Sequence, residues 1–90
     1  INQPRLSSEL ETLATFSEVS APAVTRILYT KQDMQARTYL KKLFAEANLH
    51  VREDALGNTF ICWQGSEPEL PAVATGSHVD AIPNAGMYDG

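Results

Sequence analysis

Two hydrophobic periods divide the chain. Up to Asn48 the apolar residues recur about every 3.6 positions, and beyond it they alternate with polar ones. Leu6, Leu10, Leu13 and Ala14 form one stripe with Glu9 and Glu11 opposite, which predicts a helix from Pro4 to about Ser17. Pro4 suits its first turn, where the missing N–H has no intrahelical partner to lose. "SEVSAPAVTRILYT" carries Pro22 and β-branched residues and reads as a loop or a short extended segment. Thr30-x-x-Asp33 is an acidic variant of the capping box and predicts a second helix start. Ala36, Leu40, Leu43, Phe44 and Ala47 continue that helix, and Asn48 can take the left-handed conformation that ends it.

After Asn48, "LHVRED" alternates as a strand does, "ALGN" is turn chemistry, and "TFICWQG" is a second strand. Residues 49 to 64 are therefore predicted to form a hairpin. "SEPELP" reads as a polar loop. "AVATGSH" reads as a short apolar strand delivering His78 at its C-terminal end, and "AIPNAG" as the turn that follows. Two helices followed by about three strands predict an α/β layered domain, present here in part.

Composition narrows the partners. With 90 residues the chain has room for one small domain. The formal net charge of −4 provides no basic surface for phosphates, which argues against nucleic acid and against an anionic membrane. No apolar run is long enough to span a bilayer, and "INQPRLSSEL" lacks the basic-then-apolar order of a signal peptide. The single Cys62, flanked by Ile61 and Trp63, is expected in the core and fits a reducing cytoplasm.

The chemistry concentrates in "GSHVDAIPNAGMYDG". On a strand His78 and Asp80 face the same side, the spacing of a metal-ligating imidazole whose second nitrogen donates to a carboxylate. Asp89 returns after the proline turn and can serve as a second ligand or bridge two ions. Spacing alone leaves two readings open: a cation site, or a turn in which Asp89-Gly90 binds nothing. His50, on the predicted hairpin, reads as a surface residue, and Arg26 reads as a structural anchor ahead of a pocket residue.

"ATGSHVDAIPNAGMYDG" resembles the first metal motif of the amidase, hydantoinase and carbamoylase branch of the dinuclear metal-dependent exopeptidases. The stretch "VTRILYTKQDMQARTYLKKLFAEANLHVREDALGNTFICWQG" is similar to that family's N-terminal region, so the resemblance covers roughly residues 20 to 90. Within the branch, "SHVDAIP" with "YDG" looks most like the ureidoglycolate amidohydrolases. The resemblance implies a zinc-exopeptidase-like three-layer α/β catalytic domain, of which residues 1–90 form the N-terminal part. The rest of that domain and a dimerisation domain would lie outside the chain. It implies that His78 ligates one metal, Asp80 orients His78, and Asp89 bridges two divalent cations. Mn²⁺ is favoured for a site of His and carboxylates, with Zn²⁺ or Co²⁺ as alternatives. The implied activity is hydrolysis of a ureido or carbamoyl C–N bond in a small-molecule substrate by a cytoplasmic homodimer, with the isolated chain silent. Allantoate or N-carbamoyl-L-amino acids are alternative substrates. A peptidase of the same clan and a metal-free structural module remain as rival classes.

Overall fold

The computed structural model describes residues 1–89, in the order α1 (Gln3–Ala14), β1 (Val24–Arg26), α2 (Lys31–Glu46), β2 (His50–Glu53), β3 (Thr59–Cys62) and β4 (Ala81–Ala85). This is an α/β arrangement that divides into two compact units, residues 1–39 with 77–90 and residues 40–76. The helix α2 contributes to both. Both predicted helices are present within three residues of their expected bounds.

In the first unit, Asn2 caps α1 by accepting the Arg5 N–H on Oδ1 at 3.1 Å, and Pro4 occupies the first turn as expected. Thr30 and Asp33 form the start of α2: the Thr30 hydroxyl faces the Asp33 N–H at 3.4 Å. The Asp33 carboxylate accepts the Tyr29 N–H at 2.9 Å, one residue earlier than a capping box would place it. Tyr29 is held there at a φ of 65°, a left-handed conformation unusual for an aromatic residue. The sheet is a two-stranded antiparallel pair of β1 and β4, with Val24 opposite Ala85 and Arg26 opposite Ala81 and an irregularity between them. Ala14, Val24, Ala81 and Ala85 form the core, with Met87 packed against it.

That core is made of small side chains, and the largest fully buried side chain is the carboxylate of Asp33. Thr25 and Arg26 are also buried. The predicted stripes are only partly covered: Leu6 is exposed, while Leu10, Leu13, Leu40, Leu43 and Phe44 are half-buried and Ala47 is exposed.

The second unit carries the predicted hairpin, with β2 and β3 antiparallel from His50 opposite Cys62 to Glu53 opposite Thr59. Its loop is organised by Asp54. The carboxylate accepts the N–H groups of Leu56 at 3.0 Å and Asn58 at 2.9 Å, and the Asn58 side-chain amide at 2.8 Å. Gly57 takes a φ of 87°, which a glycine adopts without a Cβ clash. Asn48 closes α2 with a φ of 57°. The Lys41 ammonium pairs with Glu53, and Arg52 stacks over the Phe60 ring at 4.1 Å.

Two expectations are corrected. "AVATGSH" is not a strand; residues 71–80 have no regular structure and Val73 is fully exposed at 102%. A continuous apolar strand is stable when neighbours pair with it and cover it, and among the described residues none does. The strand lies instead at Ala81–Ala85, read above as a turn. Ala81 and Ala85 bury against Val24, and the Asn84 N–H donates to the Thr25 hydroxyl at 2.8 Å. Asn84 bends the strand with a φ of 57°, and Pro83 is accommodated because the irregular pairing needs no donor from it. Cys62, expected in the core, is exposed on β3, since no layer covers that face of the hairpin among the described residues.

Candidate metal centre

The site residues lie in the first unit, where the unstructured segment meets β4. The His78 Nδ1 lies 2.8 Å from the main-chain carbonyl of Asp80 and 3.4 Å from that residue's carboxylate Oδ1. A carbonyl oxygen only accepts, so Nδ1 carries the proton in the neutral ring. The lone pair is then on Nε2, the form in which an imidazole binds a metal. Orientation of the ring by a carbonyl through its other nitrogen is the usual support of a metal-ligating histidine. Both acceptors belong to Asp80, the shorter one being main chain. The ring is exposed, so Nε2 is reachable by a ligand from solvent.

Asp89 is exposed at the end of a tight turn, where its N–H donates to the Gly86 carbonyl at 3.2 Å. Among the described residues no three His, Cys, Asp or Glu side chains converge on a point where a cation could be held. The chemistry of the donors nevertheless fits a divalent cation: one imidazole nitrogen with its lone pair free of the intramolecular bond, and one exposed carboxylate. Gly90, the second half of the D-G motif, lies outside the described residues. His50 is exposed on the hairpin, as expected of a surface residue.

Arg26 supports this region. It is only 6% exposed, and its Nε–H donates to the Val79 carbonyl at 2.9 Å. Its Nη1 donates to the carbonyl of Leu13 at 2.9 Å, which also accepts the Phe16 N–H at 3.2 Å, and to the carbonyl of Phe16 at 3.0 Å just beyond the end of α1. Burial lowers the pKa of the guanidinium, and the nearby carboxylates of Asp33 and Asp80 oppose that shift. The sequence marks Arg26 by one signal, a charge inside the otherwise uncharged run "AVTRIL". It does not reveal which carbonyls the charge gathers.

No family model matches the chain. Along its full length, however, the chain is related to the amidase, hydantoinase and carbamoylase branch of hydrolases that its motif resembles. Over 90 residues it is 56% identical to ureidoglycolate hydrolase of Arabidopsis thaliana, covering all of this chain and 19% of that protein. Over 86 residues it is 46% identical to N-carbamoyl-L-amino-acid amidohydrolase of Paenarthrobacter aurescens, covering 96% of this chain and 21% of that one. The crystal structures of AtUAH in complex with glyoxylate and with (S)-hydroxyglycine superpose on it with a TM-score of 0.94 and 56% identity, over 100% of this chain and 21% of theirs. The chain thus spans about a fifth of the length of the curated relatives it matches.

Proposed function

We propose that these residues belong to the catalytic domain of a metal-dependent amidohydrolase that cleaves the ureido C–N bond of ureidoglycolate. The observation that carries the reading is the pairing of "SHVDAIP…YDG" with the His78 geometry, in which the ring offers Nε2 while Asp80 holds Nδ1. His78 and Asp89 would hold the cations, with Asp80 orienting His78. When bound, two divalent cations supply polarisation of the ureido carbonyl and activation of a water molecule. Mn²⁺ suits the imidazole and carboxylate donors, with Zn²⁺ or Co²⁺ as alternatives. We read the whole protein as a cytoplasmic homodimer acting on a small molecule. No helix among the described residues is long and apolar enough to cross a membrane.

The choice of substrate draws support from product chemistry. Hydrolysis of the ureido group of ureidoglycolate, with release of one ammonia and of carbon dioxide, leaves hydroxyglycine, and loss of a second ammonia from that leaves glyoxylate. These are the two molecules bound in the AtUAH structures. Similarity to an N-carbamoyl-L-amino-acid amidohydrolase favours N-carbamoyl amino acids as the second reading. Ammonia release by the full-length, Mn²⁺-loaded protein tests the two. A site that hydrogen-bonds the substrate hydroxyl rejects a substrate lacking it by up to ~10⁴-fold, because its own polar groups stay unpaired. The kcat/KM for ureidoglycolate is therefore expected to exceed that for N-carbamoylglycine by orders of magnitude, and to exceed that for allantoate. A higher value for either competitor would reject the substrate assignment.

A further inference from the structure

We infer that Arg26 is a positioning residue for the metal centre: it sets the orientation of His78 by holding the chain on both sides of Asp80. The inference rests on the reading of His78 as a ligand. Two contacts of one residue carry it. The backbone of Arg26 pairs with Ala81 at the start of β4, and its side chain donates from Nε to the Val79 carbonyl at 2.9 Å. Asp80 lies between those two anchors. Its carbonyl is the acceptor that reaches His78 Nδ1 at 2.8 Å and so selects the tautomer with a lone pair on Nε2.

The need for such a clamp follows from the local structure. Residues 71–80 belong to no helix or strand, so no ladder of main-chain bonds fixes the peptides on either side of Val79. Arg26 is itself fixed by the Leu13 and Phe16 carbonyls at the C-terminal end of α1, where the helix dipole favours a cation. One planar guanidinium thereby joins α1, β1 and the His78 segment. A lysine has a single ammonium on a flexible stem and cannot reproduce a fork of donors aimed at three separate carbonyls.

The alternative is that Arg26 only stabilises the fold, and it predicts a different readout. The experiment uses the full-length protein with Arg26→Lys, Arg26→Gln and, as comparator, Thr25→Val. That last substitution removes the acceptor of the Asn84 N–H in the same sheet without touching Val79. Three quantities are measured: the melting temperature, Mn²⁺ affinity by chelator competition, and the His78 tautomer in metal-free protein from long-range ¹H–¹⁵N spectra. His78 is assigned in those spectra by the signal missing from His78→Gln. In the unaltered protein His78 should be Nδ1–H. Arg26→Lys should shift it toward Nε2–H and weaken Mn²⁺ binding by about tenfold or more. Thr25→Val should lose melting temperature yet keep both tautomer and affinity. Retention of the tautomer and of affinity within about twofold in Arg26→Lys would overturn the inference. So would an Nε2–H ring in the unaltered protein, a result available even if the Arg26 variants do not fold. His78→Ala separates the two levels: unchanged Mn²⁺ affinity there would overturn the ligand reading on which the inference rests.

Discussion

Replacing Asp33 by alanine should unfasten the first turn of α2, and the structure lets the loss be sized. The side chain is fully buried. Its Oδ2 accepts the Tyr29 N–H at 2.9 Å and the Arg37 Nε–H at 3.0 Å. Removing the acceptor of a part-buried N–H costs about 1–3 kcal/mol. Removing a carboxylate from the first turn of a helix costs a further ~0.3–1 kcal/mol through the dipole. The Arg37 side chain keeps 14% of its surface in water, so its charge can be rehydrated and the full penalty of breaking a buried pair does not apply. One contribution has the opposite sign. Asp33 Oδ1 is buried and has no hydrogen-bond partner among the described residues, so deleting it recovers about 1 kcal/mol. The balance is a loss of about 0.3–3 kcal/mol, with a midpoint of about 1.7 kcal/mol. Native-state hydrogen exchange is the suitable assay, because it reads the Tyr29 and Met34 amides individually. The expected acceleration is roughly 15-fold at the midpoint, and at most about 140-fold, at 1.4 kcal/mol per decade. Tyr29 should also be the first residue to leave its left-handed conformation, since the carboxylate is the acceptor that holds its N–H there. Acceleration of less than about 1.5-fold, with an unchanged melting temperature, would refute the claim that Asp33 fastens this junction.

In the full-length protein, His78→Ala and Asp89→Ala should lose metal and activity together, as measured by metal content after exhaustive dialysis. Asp80→Asn should fall at the lower end of the ~10- to 100-fold range for partners of a ligand, because the main-chain carbonyl at 2.8 Å survives the substitution. Asp54 provides a pH test of the hairpin loop. The Asn58 side-chain amide, followed by the N–H groups of the loop, outweighs desolvation and holds its pKa below the ordinary carboxylate value. A depressed folded pKa contributes stability that is present above about pH 4 and is lost as the pH falls through the folded value. Asn58→Ala should raise the Asp54 pKa toward the ordinary value, read from the carboxyl ¹³C shift, and an unchanged titration would reject the Asn58 contribution.

Local pattern alone determined much of this protein. The stripes of Leu6–Leu13 and Ala36–Phe44, the Thr30 and Asn48 boundaries, and the hairpin around Asp54–Asn58 are all written in short-range spacing and turn chemistry, and they appear where that chemistry puts them. So is the approach of His78 to Asp80, because residues two apart in extended chain are within reach of each other. Tertiary structure decided the rest. Whether "AVATGSH" or "AIPNA" becomes a strand depends on which segment finds a partner, and it is Ala81–Ala85 that pairs with β1 and puts Ala81 and Ala85 into the core with Val24. Cys62 reads as core from its neighbours, yet a strand face is buried only if another layer covers it. The carbonyl acceptor of His78 and the reach of Arg26 across 53 residues to Val79 carry no mark in the local sequence, since a backbone carbonyl looks the same at every position. Long-range hydrogen bonds to main chain are set by the path of the chain in space, and only the folded structure contains that path.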